Sequence, residues 1–150
     1  MTEVEADQSG KIEDFNVDTV LAYSNGSTRA IRIPVSVKRA GLRFLRQRRL
    51  SRKTLYLRLL VTGLCLLLRD DLDELAYITV DVEFAGREND LRGMLLSLIR
   101  RTVPDCSKDR LVFRRIGKQS PAHCVALATY RGERAPEKTV TESEFVDALK

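Results

Sequence analysis

The stretch ITVDVEFAGREND, residues 78–90, decides how the chain is read. With a period of two, Ile78, Val80, Val82 and Phe84 fall on one side of a strand and Thr79, Asp81 and Glu83 on the other. Asp81 and Glu83 then share a face, about 7 Å apart along the backbone. That face is either the wet side of an edge strand or the floor of a site for a hard divalent cation, Mg2+ or Mn2+. Tyr77 and the apolar flanks suit a strand covered on both faces, which favours the second reading.

Before this strand lies TLYLRLLVTGLCLLL, residues 54–68, apolar nearly all the way round. A bilayer span needs about 18 to 20 apolar residues. Arg58 interrupts this run and Arg69-Asp70-Asp71 ends it, so it predicts a central core helix covered by sheet and more chain. Leu57, Leu60, Val61, Leu64 and Leu67 should be buried. Further upstream, residues 18–34 place Ser-Asn-Gly-Ser between apolar runs, the strongest short signal for a hairpin. Between hairpin and helix, residues 37–53 carry eight cations and no acid, partly at the spacing of an amphipathic basic helix.

After the strand, residues 91–102 predict a helix with Leu91, Leu95, Leu98 and Ile99 on one stripe, capped by Asn89 or Asp90 and stopped by Pro104. Residues 109–117 alternate as a further strand. SPAHCVALATYRG follows, with Ser120 as N-cap, Pro121 at the first helical position and Gly132 beyond the end. Thr141 and Glu144 form a capping box for a helix over 142–149. Strands alternating with helices predict an α/β fold with parallel strand pairs and helices on the sheet. Residues 1–12 show no apolar period and read as a disordered acidic N-terminal tail, with a single domain over 13–150.

Composition narrows the function classes. The chain has 150 residues, 26 Lys+Arg against 21 Asp+Glu, and a net charge of +5. A basic balance suits a polyanionic partner. Cys65, Cys106 and Cys124 form no CxxC pair, and His123 is the only histidine, which excludes a zinc site and favours buried free thiols. The polar, acidic start is unlike a signal or transit peptide, so the expected location is cytoplasmic, without membrane association. GKQS (117–120) lacks the upstream glycine of a Walker loop, but Lys118 before a helix start could hold one backbone phosphate.

The order of elements, with YSNGS (23–27), TVDVEF (79–84) and KQSPAHCVALA (118–128), resembles the ribonuclease H-like superfamily, including its resolvase branch. That resemblance implies a mixed sheet opened by a β-hairpin, with a buried central helix and flanking helices. It also implies an aspartate on the first strand followed by Gly and Ser, an acidic middle strand, and an Asp or His ligand in the first turn of the last helix. Asp81, Glu83 and His123 then become the catalytic and metal-binding set for Mg2+ or Mn2+. The first-strand aspartate position falls on Asn25, a poorer Mg2+ ligand than a carboxylate. Two functions follow: a metal-dependent nuclease or resolvase-like protein, or an inactive nucleic-acid-binding or protein-interaction module of the same fold. Arg39, Arg43, Arg46, Arg48, Arg49 and Lys118 would hold backbone phosphates. Aromatics are scarce in that run, which favours duplex or structured nucleic acid over single strands.

Overall fold

The apolar run becomes helix α2, Arg52–Leu68, in the structure, a computed structural model that describes residues 2–81 and 86–150. Ser51 caps it by accepting the Thr54 N–H. All five expected core residues, Leu57, Leu60, Val61, Leu64 and Leu67, are buried. The sheet covers one side of α2. Helices α1 (Val35–Arg46), α3 (Glu88–Ile99) and α5 (Glu142–Leu149) cover the rest. A Cβ on Gly63 would sit 2.7 Å from Leu21 and 2.9 Å from Ile33 side-chain carbons, so the glycine lets α2 close onto the sheet.

Among the described residues, six strands form one mixed sheet. They are β1 (Thr2–Ser9), β2 (Thr19–Ser24), β3 (Thr28–Ile33), β4 (Leu75–Asp81), β5 (Leu111–Arg114) and β6 (Lys138–Thr139). Their order across the sheet is β5-β4-β1-β2-β3-β6. Strands β1, β2 and β3 run antiparallel, whereas β4 and β5 run parallel to β1 and β6 parallel to β3. Helix α4, Pro121–Tyr130, lies on the sheet face opposite α2, against β1, β2 and β3. No helix among the described residues is long and apolar enough to cross a membrane.

The largest departure from the sequence reading is at the start. Residues 1–12 were expected to be a disordered tail, yet Thr2–Ser9 is strand β1, paired on both sides at the middle of the sheet. Its apolar period is only two residues long, Val4 and Ala6, and Glu3, Glu5 and Asp7 alternate with them. Acidic residues disfavour strands, so the alternation carried little weight on its own. The hairpin at 18–34 therefore forms the second and third strands and does not open the sheet. Asn25, expected at the first-strand aspartate position, lies in its turn with Gly26, both at positive φ (140° and 96°). Smaller shifts occur elsewhere. Arg87 precedes α3 in place of Asn89 or Asp90, and the basic helix ends at Arg46. Residues 82–84 of the expected strand, Glu83 included, lie outside the described residues.

One cation of the basic run belongs to the core. Lys38 on α1 is fully buried, and its Nζ donates to the Lys11 and Asp14 carbonyls (3.2 and 2.5 Å) and to Thr19 Oγ1 (3.0 Å). It thus pins the β1–β2 loop to α1. Burial lowers its pKa to about 8, against partial compensation by Asp14, Asp18 and Glu13. The unfolded chain then binds more protons than the folded one between that value and the ordinary 10.5. Stability should accordingly rise with pH through this window, by an amount on the order of 2 kcal/mol. Urea melts of the parent across that range should show the rise, and Lys38→Met should be less stable but flat.

Candidate active site

The strand order creates a crevice before any side chain is considered. Strand β1 is followed in the chain by β2, its neighbour on one side, and β4 is followed by α3 and then by β5, its neighbour on the other side. Neighbouring parallel strands whose connections diverge leave a gap beyond their carboxyl ends, where ligands bind in open α/β sheets. A cavity of about 420 Å³ occupies that place, lined by Asp7, Gln8, Asp81 and His123 and by the cations Lys11, Arg115 and Lys118.

Register decides which residues face it. Ala6 pairs with Tyr23 and with Val80, and these point at α2. The next residues, Asp7 and Asp81, therefore stand beside each other on the opposite face, below α4. Asp81 Oδ1 accepts the Ile116 N–H at 2.7 Å, which fixes the chain between β5 and α4 over the cavity.

Two rungs tie the start of α4 to β1. Ser120 Oγ, the N-cap, accepts the Ala122 N–H and donates to Glu5 Oε1 at 2.8 Å. One turn further, His123 Nδ1 lies 3.0 Å from Asp7 Oδ2. Glu5 and Asp7 sit two apart on one face of the strand, and Ser120 and His123 three apart on one side of the helix, so both pairs meet.

Asp7 is 7% exposed. Burial pushes its carboxyl above the ordinary 3.8; the Gln8 N–H pulls it back, nearby Asp81 raises it further, and His123 lowers it. Two like charges side by side, one of them buried, is a costly arrangement that a bound cation relieves. Gln8 Nε2 is a further unsatisfied group at the wall, buried and without a partner among the described residues.

Of the residues singled out from sequence, the fold brings Asp81, His123 and Lys118 to one cavity. Glu83 lies outside the described residues. Arg39, Arg43, Arg46, Arg48 and Arg49 are all exposed, but they sit on α1 and the turn after it, and none lines the cavity. Arg39 instead binds the Phe15 carbonyl through Nε and Nη2 (3.1 and 2.9 Å). The sequence reading missed Asp7, Gln8, Lys11 and Arg115. The alternation of Glu3, Glu5 and Asp7 with Val4 and Ala6, ending at Gly10, was the signal available. No family model, curated protein or solved structure matches the chain.

A raised carboxyl pKa fixes the sign of a prediction. The folded chain holds the Asp7 proton more tightly than the unfolded chain, so stability is lost as pH rises from 3.8 through the folded value and stays lost at neutral pH. Asp7→Asn should therefore raise the melting temperature at neutral pH by a few degrees and reduce the gain on acidification. Differential scanning fluorimetry against pH reads both.

Proposed function

We propose that this chain is a divalent-metal-dependent nuclease of the ribonuclease H-like kind, cutting phosphodiester bonds in the cleft between β1, β4 and the start of α4. The observation that carries the reading is the meeting of Asp7, Asp81 and His123 around one cavity rimmed by Lys11, Arg115 and Lys118. The family pattern asks for an acid on the first strand, an acid on the strand beside it and a ligand in the first turn of the last helix. Asp7 supplies the acid that Asn25 lacks. The nuclease reading therefore does not depend on Asn25.

Among the described residues, no three His, Cys, Asp or Glu side chains are close enough to form a metal cage. Mg2+ seldom needs one, because it keeps several waters and binds through one or two carboxylates plus substrate phosphate oxygens. Asp7 and Asp81 fit that pattern and would hold it. Bound there, the cation would polarise the scissile phosphate and lower the pKa of an attacking water.

The chain's own residues do the rest. Lys11, Arg115 and Lys118 hold the phosphate oxygens. Asp7 holds His123 Nδ1, which leaves Nε2 to take a proton from the attacking water, while a solvent water protonates the leaving oxygen on the opposite side of phosphorus. Hydrolysis then breaks one P–O bond and places hydroxyl on phosphorus. Cationic walls, without stacking aromatics among the described residues, suit duplex or structured nucleic acid.

The test is cleavage of duplex, hybrid and branched nucleic acids with Mg2+ or Mn2+. Asp7→Asn and Asp81→Asn should each lower kcat by at least about 100-fold, and Lys118→Ala should chiefly raise KM. Mg2+ should also raise the melting temperature of the parent more than that of Asp7→Asn. Absence of both cleavage and cation stabilisation would refute the assignment.

A further inference from the structure

The basic run does not serve the cleft, and its strongest convergence lies elsewhere. On the helical side of the sheet, a pocket of about 360 Å³ between α2, α3 and the end of α5 is walled by Arg48, Arg58, Arg101 and Lys150. Val61 and Met94 contribute apolar surface to it. Four cations thus come from four separate parts of the chain to one place. Lys150 has Asp147 at 3.4 Å, but Arg48, Arg58 and Arg101 have no carboxylate within ion-pair distance among the described residues. Converging guanidinium groups repel one another, and a fold that only needed solubility would disperse them.

Two of these groups are also held in place. The Arg48 guanidinium lies over the Phe44 ring, 4.6 Å from its centroid, and Arg58 donates Nη2 to the Leu149 carbonyl at 2.7 Å. Partial burial first, then Arg48 and Arg101, disfavour the charge on Arg58, so an anion in the pocket would be welcomed by all three. A preorganised fork of arginines on a partly apolar floor is the geometry that takes phosphate.

We propose that Arg48, Arg58 and Arg101 form a phosphate-binding subsite for a second segment of nucleic acid, on the side of the molecule away from the cleft. The choice of nucleic acid over a free phosphate rests on the proposed nuclease reading; the phosphate chemistry does not. The chain then grips its substrate at two places, one that cuts and one that only holds.

The experiment compares three full-length proteins: the parent, Arg48→Ala/Arg101→Ala, and Arg43→Ala/Arg49→Ala, whose exposed cations lie outside the pocket. Arg58 is left intact because it anchors the last helix, and an unchanged melting temperature shows that each variant folds. Blunt duplex binding is titrated against salt. The pocket pair should lose about 1.8 from the slope of log K against log[salt], so that raising salt from 50 to 200 mM weakens its binding about tenfold less than it weakens the parent's. The control pair should lose less than half of that, and kcat for cleavage should be unchanged in both. Equal losses in the two pairs, or no loss in the pocket pair together with no phosphate stabilisation that depends on the pocket, would overturn the subsite. Inorganic phosphate that stabilises the parent but not the pocket pair, with the salt slope unchanged, would overturn its assignment to nucleic acid. Failure of the nuclease reading is seen separately, as absence of cleavage in every protein, parent included.

Discussion

A strand packed against helices on both faces, with opposite chemistry on each, is the constraint around which this structure is arranged. Val4 and Ala6 of β1 press onto α2, while Glu5 and Asp7 point into the space under α4. The apolar side is ordinary core. The acidic side is expensive, because a carboxylate removed from water must find donors or a counter-charge. Ser120, the Gln8 N–H and His123 supply them, all from residues placed within a turn or two of one another. The position of α4 on the sheet is thus set as much by two acidic residues as by the small apolar patch of Val20, Ala22, Ala30 and Ala126 beneath it.

The same arrangement explains why the candidate site lies at one end of β1 and nowhere else along it. Only where β1 and β4 end do their connections part. There, among the described residues, Asp7, Asp81 and the first turn of α4 have open space between them. Lys38, which looks from the sequence like one more surface cation, secures the loop that forms one wall of that space.

Local signals made much of the fold legible. The all-apolar helix, the Asn-Gly hairpin, the Ser-Pro start of α4 and the Thr141/Glu144 box each encode their structure within a few residues, and each formed where expected. What could not be read was nonlocal. Strand β1 has too little apolar surface to declare itself, and its pairing partners lie more than ten and more than seventy residues away. Asp81 and His123 stood out because each sits on an element with a clear pattern of its own. Asp7 did not, because the residues that suit it to a site are the ones that disguise its strand. Local sequence rules commonly fail where a chain has been adapted for chemistry.

The location of β1 also dictates the order in which the sheet can be assembled. The β2–β3 hairpin closes over a three-residue turn and can form as soon as it is made. Strand β1 can join its edge by antiparallel pairing with β2, but its other edge waits for β4, with α1 and α2 in between. Until then the most acidic strand of the sheet presents an unpaired edge, and Glu3, Glu5 and Asp7 along it discourage pairing with a second chain. The carboxylates that line the candidate site in the finished molecule therefore also act earlier, as guards against misassembly of a slow, long-range parallel pair.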